Sequence, residues 1–245
     1  RSNIQNFVQC LDMRNGEFVG DFDFRGVHVS YRYCALRHIA HAALMEVSLS
    51  ASEDVGFEAR AEHLVPQSLH GASMMTNSFE FHHKTDPPYT VLTTTAFSPN
   101  GTVRTAASSA FLFPEADRNI PTVHKQPSSD SHNLSFVKTL RKGETYKFSV
   151  VGSLISSVHT ADPLNQAERI VTYVRFQKEG ELLRRHRLAW NRLWESDIII
   201  DGAPQAQKEV RSMLYHLYSF TREGTAFSPS PMGLSGLGYN GHVFW

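Results

Sequence analysis

The sequence lacks most of the features that assign a function from composition. Of its 245 residues only two are cysteines, Cys10 and Cys34, too few for a disulfide framework or a thiolate metal site. Both lie in strand-like segments, and we expect two small buried side chains. No apolar run approaches the roughly 20 residues that span a bilayer, and no signal-peptide pattern opens the chain. The sequence therefore predicts no membrane partner.

Net charge is also missing, because 24 Lys and Arg balance 24 Asp and Glu. Without a basic run or a net positive field, nucleic acid is not an expected partner. Thirteen histidines are present. The spaced pair His38 and His41 and the adjacent pair His82 and His83 have no Cys or carboxylate to complete a metal site. We expect structural or exposed histidines and no metal cofactor.

The first two-thirds of the chain read as β-structure, since apolar residues alternate with polar ones. The pattern predicts strands in NFVQCLDM (6–13), FVGDFDF (18–24), VHVSYRY (27–33), LMEVSLS (44–50), YTVLTTTAF (89–97), AFLF (110–113) and ETYKFSVVGSL (144–154). Asn15-Gly16 suits a tight hairpin turn between the first two. Loops are expected at 84–89 and 125–131. Many short strands separated by turns indicate an antiparallel sandwich.

Helical periodicity begins at Asp162-Pro163, a good helix start. The first helix would bury Leu164, Ala167, Val171 and Val174 and stop near Gly180. A second, at about 181–195, would place Leu183, His186, Trp190 and Leu193 on one stripe, with Trp190 and Trp194 as core anchors. A third, from Pro204 to about Thr221, would bury Val210, Met213, Leu214 and Leu217.

Three regions follow from these patterns. Residues 1–160 form a β-sandwich domain that is incomplete at its start, residues 161–200 a helical linker, and residues 201–245 the beginning of a further, truncated unit. A single helix with one apolar face cannot form a domain alone. We therefore expect a partner domain beyond this sequence.

The last ten residues, GLGYNGHVFW, match the glycine spacing of a dinucleotide-binding turn. That motif needs a buried strand before it, a helix after it and an acidic residue about 20 positions on. Here Pro229 and Pro231 interrupt the preceding segment, and four residues remain after Gly241. The spacing therefore does not indicate a nucleotide site.

Flat aromatic rings beside polar side chains allow two interpretations of the same stretch. Tyr239, Phe244 and Trp245, with Asn240 and His242, could stack on a pyranose and bond its hydroxyls. Alternatively, the aromatics fill the core of a neighbouring domain.

These residues also carry a family resemblance. PMGLSGLGYNGHVFW (231–245) resembles the entry loop of the catalytic barrel in glycoside hydrolase family 65, and HRLAWNRLWESDIIIDGAPQAQKEVRSMLYHLYSF (186–220) resembles the connector before it. LDMRNGEF (11–18) is similar to a strand pair of that family. The resemblance implies a mainly β fold with an α segment: an antiparallel super-β-sandwich, a helical linker and the first helix of an (α/α)₆ barrel.

The resemblance further implies cleavage of an α-glucosidic bond of a kojibiose-, maltose- or trehalose-type disaccharide, with inversion. A glutamic acid protonates the leaving oxygen while phosphate or activated water attacks. That acid is expected outside this chain, so no catalytic residue is assigned and the isolated chain should be inactive. Trp245, with Phe244, His242, Tyr239 and Asn240 beside it, would bind substrate.

Phosphorolysis and hydrolysis both remain open. No cofactor is expected, with inorganic phosphate as co-substrate of a phosphorylase. A phosphorylase would be cytoplasmic and a hydrolase periplasmic or secreted, and the full-length enzyme could form a homodimer. The rival interpretation is a non-catalytic β-sandwich that binds carbohydrate or assists assembly.

Overall fold

The computed structural model describes residues 4–64, 73–81, 89–98, 100–114, 117, 119–127, 131–178 and 180–221. Within these ranges the chain is mainly β, and helices appear only after the last strand. The strands are β1 (Ile4–Asp12), β2 (Glu17–Phe24), β3 (Val27–Ala35), β4 (Ala42–Ala51), β5 (Val55–Leu64), β6 (Ser73–Phe81), β7 (Tyr89–Phe97), β8 (Arg104–Leu112), β9 (His124–Pro127), β10 (Ser131–Leu140) and β11 (Thr145–Ser156).

All strand pairs in the described part are antiparallel, and they form two sheets. The larger has the order β1-β2-β3-β4-β11-β8-β7-β6, and the smaller the order β5-β10-β9. Strands β1 to β4 form a meander, whereas β11 pairs with β4 and β8 at once. The predicted antiparallel sandwich is confirmed.

Aromatic side chains fill the space between the sheets. Phe136 of β10 is fully buried and meets Phe111, Phe113 and Phe148 edge to face, at centroid distances of 4.9, 5.0 and 5.0 Å. The ring of Phe57 in β5 also meets Phe136 edge to face, with centroids 5.8 Å apart. Edge-to-face packing is the favoured geometry of aromatic rings, so it sets the distance between the layers.

Two helices cover the opposite face of the larger sheet. These are α1 (Pro163–Arg175) and α2 (Glu181–Leu193), followed by a 3₁₀ turn at Trp194–Ser196. Asp162 caps α1 by accepting the Asn165 N–H at 3.2 Å, as expected from its position. The predicted stop at Gly180 is wrong. Helix α1 ends at Arg175, and Gly180, at φ +76°, begins α2 instead.

The third helix, α3 (Pro204–Phe220), matches its prediction closely, but its apolar face is not buried. Met213 is 69% exposed and Leu217 47%, while Val210 and Leu214 are half-buried. Trp194 is likewise only half-buried, whereas Trp190 lies in the core. Of the described helices, none has both the length and the apolar character needed to cross a membrane.

Three corrections concern the strands. Cys34 is buried, but Cys10 is exposed because edge strand β1 pairs with β2 alone. The segment expected as a loop at 125–131 contains most of β9 and the start of β10. Strands β5, β6 and β10 were not predicted, and β8 begins six residues before the expected AFLF segment.

Candidate functional site

The five residues predicted to contact sugar, Tyr239, Asn240, His242, Phe244 and Trp245, lie outside the described residues. The description reaches Thr221, the first residue after α3. The described residues, which we call the scaffold, are the two sheets and the helices that precede these five residues in the chain. Five features of that scaffold bring polar or aromatic side chains together: a buried carboxylate, a buried histidine, two indoles, a polar network between the sheets and a surface groove.

Glu17, at the start of β2, is a carboxylate in contact with two guanidinium groups. It is 2% exposed and accepts hydrogen bonds from Arg187 Nε and Nη2 at 2.6 and 2.9 Å. Arg32 Nε lies 2.8 Å from Glu17 Oε2, the oxygen that also accepts from Arg187 Nη2, and Arg32 Nη1 donates to Glu46 at 3.2 Å. The hydrogen bond to Glu17 raises the pKa of Arg187. Because Arg187 belongs to α2 and Arg32 to β3, the cluster joins that helix to the sheet.

His186 is fully buried at the centre of α2, and its Nδ1 accepts the Arg37 main-chain N–H at 3.0 Å. Burial lowers the pKa of this imidazole, an effect partly opposed by the facing carbonyls of Asn15 and Gly16. An accepting Nδ1 requires the neutral ring with its proton on Nε2. His186 therefore acts as a neutral acceptor for the loop between β3 and β4.

Trp190, one turn further along α2 than His186, contacts both α3 and the first hairpin. Its ring stacks on Tyr215 of α3, with centroids 5.4 Å apart and planes 19° apart. The ring edge that carries Nε1 lies against the turn of the first hairpin at Gly16. Trp194 repeats the pattern, donating its indole N–H to the Arg14 carbonyl at 2.8 Å and meeting the edge of Tyr218. These two indoles join the first hairpin to α3.

Between the two sheets lies a network that superficially resembles a nucleophile and its base. His63 Nε2 is 2.7 Å from Ser109 Oγ, and its Nδ1 is 2.8 Å from Thr94 Oγ1, which also reaches His132 Nδ1 at 2.9 Å. Burial, then the charge of His132, lowers the pKa of His63 to about 4. Ser109 is 5% exposed, and the ring is oriented by a hydroxyl rather than a carboxylate. The network satisfies buried polar groups and lacks the parts of a catalytic triad.

A groove of about 540 Å³ opens on the helix-bearing face of the larger sheet, beside the corner between α1 and α2. Its walls include the hydroxyl of Ser48 and charges of both signs from Asp21 and Lys147, over an apolar floor that includes Leu44. The size falls in the range of small-molecule sites. Mixed charges and hydroxyls favour no single ligand class, so the groove assigns no function.

In the described ranges, no three His, Cys, Asp or Glu side chains come together in a way that could hold a metal ion. His38 and His41 lie in the turn before β4. Burial lowers the pKa of His38, and His41 packs edge to face against His159 at 4.8 Å. His82 and His83 fall outside the described residues.

Sequence spacing could not have found the charged cluster or the His186 contact. Glu17 and Arg187 are 170 positions apart, and Arg37 and His186 are 149 apart. Gly16 was visible only as a turn residue, and its contact with Trp190 has no local signal. These partners meet because α2 lies across the first hairpin and the β3–β4 loop.

The fold and the sequence both match known proteins. A solved structure provisionally described as kojibiose phosphorylase from human microbiome superposes with a TM-score of 0.70, covering 89% of this chain and 29% of that one. The sequences are 13% identical, so this likeness establishes the sandwich and its helical extension alone. The family model of the glycosyl hydrolase family 65 N-terminal domain matches residues 1–193.

Two relatives extend the similarity along the whole chain. The kojibiose hydrolase of Flavobacterium johnsoniae is 48% identical over 247 residues, which are 99% of this chain and 36% of that protein. The kojibiose hydrolase of Mucilaginibacter mallensis is 45% identical over 249 residues, which are 100% of this chain and 36% of that protein. The chain thus spans about a third of the length of these relatives. It belongs to glycosyl hydrolase family 65.

Proposed function

We propose that the protein containing this chain cleaves the α-glucosidic bond of kojibiose, and that the reaction is hydrolysis with inversion. The supporting observation is identity of 48% and 45%, over nearly all of this chain, to two proteins named kojibiose hydrolase. Likeness in sequence to a kojibiose phosphorylase is 46% identity but covers 26% of this chain, and likeness in fold to another comes with 13% identity. Because the identity to the two hydrolases extends over nearly all of this chain, it favours water over phosphate as the attacking group.

In this proposal residues 239–245 form one wall of the glucose pocket. The indole of Trp245 would stack on the apolar C–H face of a glucose ring, with Tyr239 and Phe244 beside it. Asn240 and His242 would supply hydrogen bonds to hydroxyls, which need partners once water is displaced. The catalytic acid is not assigned to a residue of this chain. A hydrolase of this kind needs no cofactor.

The test is an assay of the full-length protein on kojibiose, maltose and trehalose, with and without inorganic phosphate. We expect glucose from kojibiose at a rate independent of phosphate, with an initial excess of β-glucose by NMR over the α/β mixture released from the reducing end, because inversion converts an α-bond to a β-product. Phosphate-dependent release of glucose 1-phosphate would replace hydrolysis with phosphorolysis. Absence of turnover on all three sugars would refute the proposed activity.

The sugar wall is tested by Trp245→Ala in the same protein. Losing the stacking surface should raise KM for kojibiose about tenfold or more, because ground-state binding is removed. Phe176→Ala is the matched control, since that ring is 65% exposed on the helical segment. An unchanged KM in Trp245→Ala would assign the indole to packing, the alternative left open by the sequence.

We also propose that the full-length protein forms a homodimer, and light scattering of the same preparation tests this proposal.

A further inference from the structure

Arg37 lies in the loop between β3 and β4, and its backbone is held on both sides. Leu36 is fully buried in the sheet–helix core and donates its N–H to the Ala42 carbonyl at 2.8 Å. The Arg37 N–H donates to buried His186 Nδ1 at 3.0 Å. The residue is therefore fixed to the larger sheet and to α2 before its side chain makes any contact.

The Arg37 side chain binds the end of α3. Its Nη1–H donates to the Tyr218 carbonyl and its Nη2–H to the Thr221 carbonyl, each at 2.6 Å. The last four carbonyls of a helix have no partner within it, and they form the negative end of its dipole. A planar guanidinium suits two such acceptors, because its donors are rigidly spaced. The Arg37 guanidinium carbon also lies 5.7 Å from the centre of the Trp190 ring, within cation–π range.

Helix α3 has few other attachments to the sandwich in the described structure, where none of its residues is fully buried. Tyr215 stacks on Trp190 of α2, and the Tyr218 hydroxyl donates to the Ser196 carbonyl at 2.8 Å. Arg211 pairs with Asp197 in the connector, not with a strand. Two short, charge-assisted bonds from Arg37 thus hold the last turn directly to the sandwich.

We propose that Arg37 is a positioning residue, which fixes the last turn of α3 against the sandwich and so sets where the chain departs toward the sugar-contacting residues 239–245. Residues 222–245 continue the chain directly from this turn, so the position of the turn sets where they begin. A misplaced substrate-binding wall weakens substrate binding even when the change lies far from the chemistry. The inference rests on the proposed role of residues 239–245.

The test compares Arg37→Ala, Arg37→Lys and the control Arg60→Ala in the full-length protein. Arg60 pairs with Glu58 on the exposed side of β5, at 2.9 Å. We expect Arg37→Ala to raise KM for kojibiose about tenfold, with kcat per folded molecule changed no more than about twofold. Arg37→Lys should fall in between, because an ammonium group cannot reach both carbonyls with one rigid fork. Arg60→Ala should match the wild type.

Hydrogen exchange supplies a readout that needs no activity. Amides of the last turn of α3 should exchange faster in Arg37→Ala, while those of β7 and β8 stay protected. A lower melting temperature with unchanged KM and unchanged exchange at the end of α3 would overturn the proposal. If the wild type cleaves none of the sugars, the proposed activity fails, and exchange alone decides whether Arg37 holds α3. Arg37→Lys keeps the test open if Arg37→Ala does not fold.

Discussion

Gly16 satisfies two requirements at once in the turn between β1 and β2. Its backbone adopts φ +62°, a region that side chains with a Cβ disfavour. A Cβ at this position would also lie 2.3 Å from the Trp190 ring, well inside contact distance. Since Trp190 is buried and stacked on Tyr215, the ring cannot move aside without disturbing the core. The missing side chain is what lets α2 approach the hairpin.

Gly16→Ala should therefore lower the free energy of unfolding by about 3 kcal/mol, from backbone strain and overpacking together. Gly143→Ala is the matched control, because Gly143 has φ +81° but no atom within 4 Å of the place its Cβ would occupy. Its loss should be about 1 kcal/mol, from backbone strain alone. Urea denaturation measures both. Equal losses would show that the Trp190 contact contributes nothing.

At the scale of elements, strands rich in β-branched and aromatic residues could be predicted from the sequence, whereas a strand with several buried polar residues of other types could not. β7 matched its predicted bounds, 89–97. In β10, residues 132–136 are all buried, and three of them, His132, Asn133 and Ser135, are polar. Alternation vanishes in such a strand, because the polar groups are satisfied by tertiary partners such as Thr94. Strand β5 does alternate, but its inward residues include the weakly apolar Ala59 and Ala61.

The candidate site was less predictable than the fold. Residue types and resemblance indicated the residues that we propose contact sugar, but no local pattern indicated Arg37, whose partners Tyr218 and Thr221 are 181 and 184 positions away. Likewise, periodicity placed His186 and Trp190 on the buried stripe of α2 without showing what they meet. Contacts between distant segments depend on topology, which periodicity does not encode. The division at residue 160 stays a prediction, since the matched family model runs on to residue 193.

Helix α2 depends on the charged cluster around Glu17. Glu17→Gln should lower the free energy of unfolding by about 2 kcal/mol, because it weakens the charge-assisted hydrogen bonds from Arg187 and Arg32, whose own side chains stay 41% and 36% exposed to water. Glu58→Gln, in an exposed pair with Arg60, should be close to the wild type. Thermal and urea denaturation give the comparison. If the two variants lose the same stability, the cluster is not what holds α2 to the sheet.

For the whole molecule, buried histidines predict sensitivity to mild acid. Burial lowers the pKa of His38, His63, His132 and His186 in the folded protein, to about 4 for His63. In the unfolded chain these histidines have ordinary pKa values near 6.5. As pH falls, the unfolded chain therefore binds protons that the folded protein does not bind. Stability should therefore be complete above about pH 7 and decline as pH falls toward the folded pKa values.

His63 alone should account for about 2 kcal/mol of the loss between about pH 7 and 5. The measurement is urea denaturation at several pH values in this interval. His63→Gln keeps a polar side chain beside Thr94 and Ser109 but cannot titrate, so its stability should fall less steeply with acid. A wild-type stability that stays constant down to about pH 5 would contradict the expectation.

The position of β11 has a consequence for how the protein is made. Strand β11 (Thr145–Ser156) lies between β4 and β8 in the larger sheet, and no other described strand joins the two halves. During synthesis, the meander β1–β4 emerges long before β11 and keeps one edge unpaired until it arrives. Closing the sheet requires contacts over about a hundred residues of sequence, the kind that slow folding. The two halves of the larger sheet can therefore be joined through β11 only after residue 156 has been synthesised.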